Sequence, residues 1–251
     1  MNKGVVLALC SAAILAFSAE TPAVAPATAS SPAPVLTQSL RHLEYHFAVT
    51  YATTGEGHES GIGTTGSGII SYQGSAGRQG TIVADVMGVA KDGGLVIRAQ
   101  ENAEGRVQQR PPVTCAVYGD SRVLCGDNVN SPTDAMMVLL SHLGRNFYDP
   151  SIIDDKGHWE RRLDEDKVKI LTTFSMPSHV DGKPAMIYEH RDIKWLDGTQ
   201  DDMGEDSRIS YDIDMSVPKS ITNEAAEASR GEGYMRTKID VSLTKDSFAK
   251  Q

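Results

Sequence analysis

The chain is poor in cysteine, in aromatic rings and in positive charge. Only three cysteines occur in 251 residues, with no Cys-x-x-Cys pair among them, which argues against a redox-active dithiol. Lysine and arginine number 24 against 33 acids, a formal charge of −9. Lys3 and Glu20 cancel, so that charge belongs to the chain beyond the first thirty residues. A surface of this sign repels nucleic acid and anionic lipid head groups, and no nucleic-acid partner is expected.

Motifs that name a reaction are missing too. No pair of the seven histidines has His-Glu-x-x-His spacing. His42 and His46 share the polar face of one strand at about 13 Å, too far apart for one ion. His142 is expected off the apolar stripe of its helix, facing solvent or the sheet margin. His158 belongs to a polar turn entering a strand, His179 lies beside a turn, and His190 alternates with Tyr188 and Met186. Gly66-Ser67-Gly68 is not the strand-to-helix elbow of a serine hydrolase. The glycine-rich stretch from Thr53 to Gly68 lacks a phosphate loop's Lys-Ser/Thr ending and opens no helix. It reads as a binding loop or a hairpin tip around His58. No metal or cofactor is called for. The acidic run Asp197–Asp206 offers alternate oxygens at Asp197, Thr199 and Asp201. Asp202 stands where the EF-hand pattern wants glycine, however, and the twelfth-position glutamate is missing, so a solvated loop is preferred to a calcium site.

What is present begins at the amino terminus. Lys3, the apolar run Val5–Phe17 and the small-residue sites Ala23-Val24-Ala25 and Ala27-Thr28-Ala29 read as an export signal over residues 1–29. The run, about thirteen residues, is too short to span a bilayer. Cys10 is then an ordinary signal residue. Residues 30–37 form a flexible leader, and 38–251 a single β-rich domain in the periplasm or outside the cell, with no transmembrane span. In that oxidising setting Cys115 and Cys125 are expected to bond across a hairpin turned by Gly119-Asp120-Ser121.

Period-two patterns dominate this domain. Leu43, Tyr45, Phe47, Val49 and Tyr51 fall on one side of a strand, with His42, Glu44, His46 and Thr50 on the other. The same alternation runs through Val168–Met176, Ile209–Val217 and Met235–Leu243. Further strands are expected at Gly68–Gln73, Thr81–Val89, Leu95–Ala99, Val113–Tyr118, Arg122–Cys125 and Ala185–Leu196. Turns are expected at Gly74–Gly77, Lys91–Gly94 and Asp181–Lys183. One helix stands out over about 132–143, with Ser131 as N-cap, Pro132 in the first turn and Gly144 as the stop. Met136, Leu139, Leu140 and Leu143 form its apolar stripe. A weaker helix or turn is expected at Ile221–Ser229.

The predicted fold is thus mainly β: a curved antiparallel sheet or open β-barrel of about nine to eleven strands, with the helix linking a sheet before it to a sheet after it. This outline is similar in architecture to the open β-barrels of periplasmic lipoprotein-carrier proteins, by element order and without a shared motif. The resemblance implies an acyl chain held between sheet and helix. Met136, Leu139, Leu140, Leu143, Met176, Met215 and Met235 are the candidate ligand-facing residues, since methionine adapts to varied apolar guests. The expected function is a non-enzymatic exported protein that binds an apolar small molecule or an envelope protein partner. A secreted hydrolase with a dispersed site near the Gly55–Gly68 loop and a structural or adhesive surface domain are the alternatives.

Overall fold

The computed structural model describes residues 39–59, 68–126, 131–144, 157–164, 167–176, 185–196, 203–212, 216–229 and 233–248. Strands β1 (Arg41–Glu59), β2 (Gly68–Val89), β3 (Leu95–Ala103), β4 (Val113–Val117) and β5 (Val123–Cys125) precede helix α1 (Asp134–Leu143). Strands β6 (His158–Asp164), β7 (Val168–Ser175), β8 (Ala185–Trp195), β9 (Met203–Asp212), β10 (Val217–Ser229) and β11 (Gly233–Asp246) follow it. All eleven strands form one antiparallel sheet, in the order β5-β4-β3-β2-β1-β11-β10-β9-β8-β7-β6, and it is not closed by hydrogen bonds. The mainly β fold with one helix is therefore as expected, but the two half-sheets are not separate. β1 pairs with β11 from Leu43↔Asp246 to Thr54↔Tyr234 and fuses them.

The inward faces follow the alternation read from sequence. Leu43, Tyr45, Phe47 and Val49 are buried with Ile82, Ile97, Ile187, Ile209, Ile221, Ile239 and Val241. Their neighbours Thr50, Met186, Tyr188 and His190 are exposed on the other face. Phe47 lies opposite Gly80. A Cβ on Gly80 would sit 2.2 Å from the carbonyl oxygen of Asn102, so only glycine lets β3 approach there.

Several local expectations fail. Gly74–Gly77 is no turn but the middle of β2, paired with Thr53–Thr50 of β1. The expected loop from Gly55 is still ladder as far as Glu59↔Gly68. Small residues sit in this pair because the strands leave them little room: a Cβ on Gly77 would lie 3.0 Å from the Val49 carbonyl oxygen. Ile209–Val217 is not one strand. β9 ends at Asp212 and β10 begins at Val217, with Ser216 at φ 53° before it; Ile213 and Met215 lie outside the described residues. Ile221–Ser229 is strand, not helix, because β9 and β11 flank it on both edges and pairing overrides the helix propensity of its alanines and glutamates. The helix is capped by Thr133, whose hydroxyl accepts from the Met136 amide at 3.3 Å, and not by Ser131; Gly144 does close it. The turns at Lys91–Gly94 and Gly119–Ser121 form as expected, whereas Asp181–Lys183 lies outside the described residues. No helix among the described residues is long and apolar enough to cross a membrane.

Candidate functional site

The apolar side of the sheet gathers its buried side chains around the helix. α1 packs there against β1, β4, β5, β10 and β11. Leu139 and Leu140 are 0% exposed, and Met136 and Leu143 are also buried. Met176 joins the same cluster and Met235 is half-buried. The structure therefore brings five of the seven candidate residues, Met136, Leu139, Leu140, Leu143 and Met176, into one cluster. It leaves Met235 at the cluster's margin, and Met215 lies outside the described residues.

The helix is not a simple apolar plug, for each end is fastened by buried polar groups. At its start, Arg78 of β2 donates to Glu101 of β3 and to Asp134. Tyr51 of β1 donates to Asp134, and Thr133 to Glu101. Glu101 is only 3% exposed. Burial works against the Arg78 cation, yet its bond to Glu101 and the charge of Asp134 raise its pKa on balance. Burial and the bond to Asp134 likewise push the Tyr51 hydroxyl up.

Near its end stands His142, which is 2% exposed and does not face solvent as the helical stripe suggested. Its Nδ1 lies 2.6 Å from the Val138 carbonyl and its Nε2 3.1 Å from Oε2 of Glu189 on β8. The other oxygen of Glu189 accepts from Arg191 at 2.8 Å, and Arg191 donates at 2.7 Å to Glu205 of β9. Asn223 of β10 donates to Glu205 and to Ser207. Burial disfavours the Arg191 cation, but the charges of Glu205 and Glu189 more than compensate and raise its pKa. His142 thus bridges the helix backbone and β8. No local sequence pattern could reveal this cluster, since its members lie on four elements and meet only through the β8–β9–β10 register.

Beyond this polar belt the inward face turns apolar again. Leu163↔Ile170, Ile170↔Ile193 and Ile193↔Met203 are consecutive cross-strand pairs, about 14 Å across four strands. Leu163 is 43% exposed, and Ile170, Ile193 and Met203 are half-buried.

The opposite face carries a cleft of about 820 Å³ lined by Glu160, Tyr188, His190, Asp206, Arg208 and Lys238 among others. Its side chains largely satisfy one another. His190 Nδ1 lies 2.7 Å from Asp206, Arg208 sits 5.7 Å over the Tyr188 ring, and Glu224 stands opposite Lys238. That is the pattern of a solvated sheet face held by cross-strand pairs. Of the acidic run considered for calcium, Asp197–Asp202 lies outside the described residues, while Glu205 and Asp206 are engaged on β9 with Arg191 and His190. No group of metal-ligating side chains occurs among the described residues. Cys115 and Cys125 are disulfide-bonded directly across the β4–β5 hairpin, as expected. The side chains of His58 and its glycine-rich neighbours, like His179, lie outside the description.

No protein-family model matches the chain, and no curated protein does. Among solved structures, one titled "Lipid-protein interactions in lipovitellin" aligns with a TM-score of 0.44 and 12% identity, over 85% of this chain. The chain covers 26% of the length of that one.

Proposed function

We propose that this is an exported, non-catalytic protein that binds an apolar ligand along the concave face of its sheet. The observation that carries the reading is the mismatch between face and cover. Eleven strands share one apolar side, whereas α1 has ten residues and is about 15 Å long. The Leu163–Ile170–Ile193–Met203 row lies beyond it, partly exposed. A ligand resting there reaches the methionines Met136 and Met176 by running past the Arg191–Glu205 belt. Export is supported by the residue 1–29 pattern and by the Cys115–Cys125 bond. A second reading, a structural or adhesive surface domain, is favoured by the completeness of packing around Leu139 and Leu140, both 0% exposed.

Native mass spectrometry and uptake of the apolar fluorophore N-phenyl-1-naphthylamine separate the two. The carrier reading expects bound apolar mass or probe uptake, weakened at least about tenfold by Ile193→Asp, which places a charge on the row. Absence of both bound mass and uptake leaves the structural reading.

A further inference from the structure

β5 and β6 stand at the two ends of the strand order, so among the described residues each carries a ladder on one side only. β5 is three residues long, too short to offer a partner a stable ladder. β6 runs for seven residues, His158-Trp159-Glu160-Arg161-Arg162-Leu163-Asp164, and all seven are in register with β7 on one side. An edge of this length is a template for another strand. Glu160 and Arg162 face Thr173 and Leu171 on β7, neither of which is charged. The two hold each other along the strand at 3.3 Å, with the Arg162 side chain 71% and the Glu160 side chain 55% exposed.

The order of residues in β6 says which strand fits. Laid antiparallel against a second copy of itself, with Arg161 on the two-fold axis, the segment sets Glu160 of one copy opposite Arg162 of the other. It likewise sets Trp159 opposite Leu163 and His158 opposite Asp164, and symmetry supplies each pair twice. Both acids then face basic side chains. The faces agree as well: Trp159 and Leu163 lie on the inward side, whereas His158, Glu160, Arg162 and Asp164 are exposed on the outer one. Register is specified by charge, because sliding the copies by two residues sets Glu160 against Glu160 or Arg162 against Arg162. The one like-charged contact is Arg161 with its copy. Its guanidinium donates to the Ser121 hydroxyl at 3.4 Å and lies 6.0 Å from the Phe174 ring centre on β7, which draws the charge back over its own sheet.

We propose that two copies of this chain associate through β6, edge to edge about a two-fold axis, into one continuous antiparallel sheet. The proposal is independent of the carrier reading. A ladder of seven residues is smaller than the interface of a permanent dimer, so the association is weak and depends on concentration. Sedimentation equilibrium of the full chain between about 5 and about 500 µM is expected to show monomer and dimer in exchange; monomer throughout overturns the proposal. Glu160→Lys and Arg162→Glu each place like charges opposite one another at two positions. Either alone is expected to weaken self-association at least about tenfold. Mixed in equal amounts, the two variants present opposite charges to each other at both positions and are expected to associate within about threefold of the natural Kd. Self-association unchanged by either substitution, or no recovery in the mixture, overturns the proposal. Should a variant fail to fold, amide exchange of the unsubstituted chain decides. Exchange over His158–Asp164 is expected to slow at least about threefold at the higher concentration, and protection gained elsewhere but not in β6 overturns the pairing.

Discussion

Glu189 ties the helix to the sheet through both of its carboxylate oxygens. It faces His142 of α1 through one oxygen and Arg191 of its own strand through the other, while Arg191 reaches on to β9. Buried ion pairs add little net stability against an apolar replacement, but removing one partner leaves the others in low dielectric. Glu189→Ala is therefore expected to lower unfolding free energy by about 3–5 kcal/mol, read from the denaturant midpoint at unchanged slope. Titration on the outer face works differently. Hydrogen bonds to Glu44 and Asp85 raise the pKa of His42, and the bond to Asp206 does the same for His190, each above the ordinary 6.5. Their protonated forms are favoured in the folded state, so their contribution is complete below 6.5 and fades as pH rises through the raised folded values. The side chains are 34% and 46% exposed, and solvent screens much of the effect. The thermal midpoint of the natural protein should exceed that of a His42→Asn, His190→Asn double variant by a margin that shrinks between about pH 6 and pH 8. A margin that grows would contradict the assignment.

Among the elements, the β4–β5 hairpin is the one whose stability rests on a covalent bond. β5 is three residues long and lies at the sheet's edge, so its pairing alone is weak. Closing a loop with a sequence separation of 10 is worth about 3 kcal/mol on the chain-entropy account. Replacing both cysteines by serine is expected to remove that much and to show first as rapid amide exchange over Val123–Cys125, with the remaining strands still protected. This hairpin was legible in the sequence down to the pairing of its cysteines, as were the inward faces of β1, β7 and β11, because alternation and turn residues are local signals. β10 was not. Asn223 to Ala228 carries helix-forming residues, and what makes it a strand is the presence of β9 and β11 on its two sides, which lie beyond any local window. His142 was misjudged for a related reason. A polar residue on a helix implies solvent only when nothing across the gap can satisfy it, and here Glu189 does, 47 residues further along the chain. The apolar cluster around α1 was readable as a stripe, whereas the polar belt beside it depends on which strands become neighbours.

At the scale of the whole molecule, one pairing departs from a plain meander. β1 to β5 run consecutively across one half of the sheet and β6 to β11 across the other; only β1·β11 joins residues about two hundred positions apart. Closing a loop of that length costs about 5 kcal/mol before any of its contacts forms, and topologies rich in such contacts fold slowly. The two ends of the folded region nonetheless lie side by side. Arg41 bonds Asp246 at 2.6 Å, and the Ser247 amide donates to the His42 carbonyl at 3.0 Å. A short Gly/Ser linker from the end of β11 to the start of β1, with new termini opened between α1 and β6, turns the chain order into β6 through β11 and then β1 through β5. That is the sheet order itself, read from one edge to the other. Such a circular permutant retains all ten ladders and converts the longest-range pairing into a hairpin. It is expected to refold at least about tenfold faster than the natural order while its unfolding free energy changes by no more than about 1–2 kcal/mol. Equal refolding rates would show that the slow step lies elsewhere, in docking α1 onto the concave face, and would move the folding nucleus from the central strand pair to the helix.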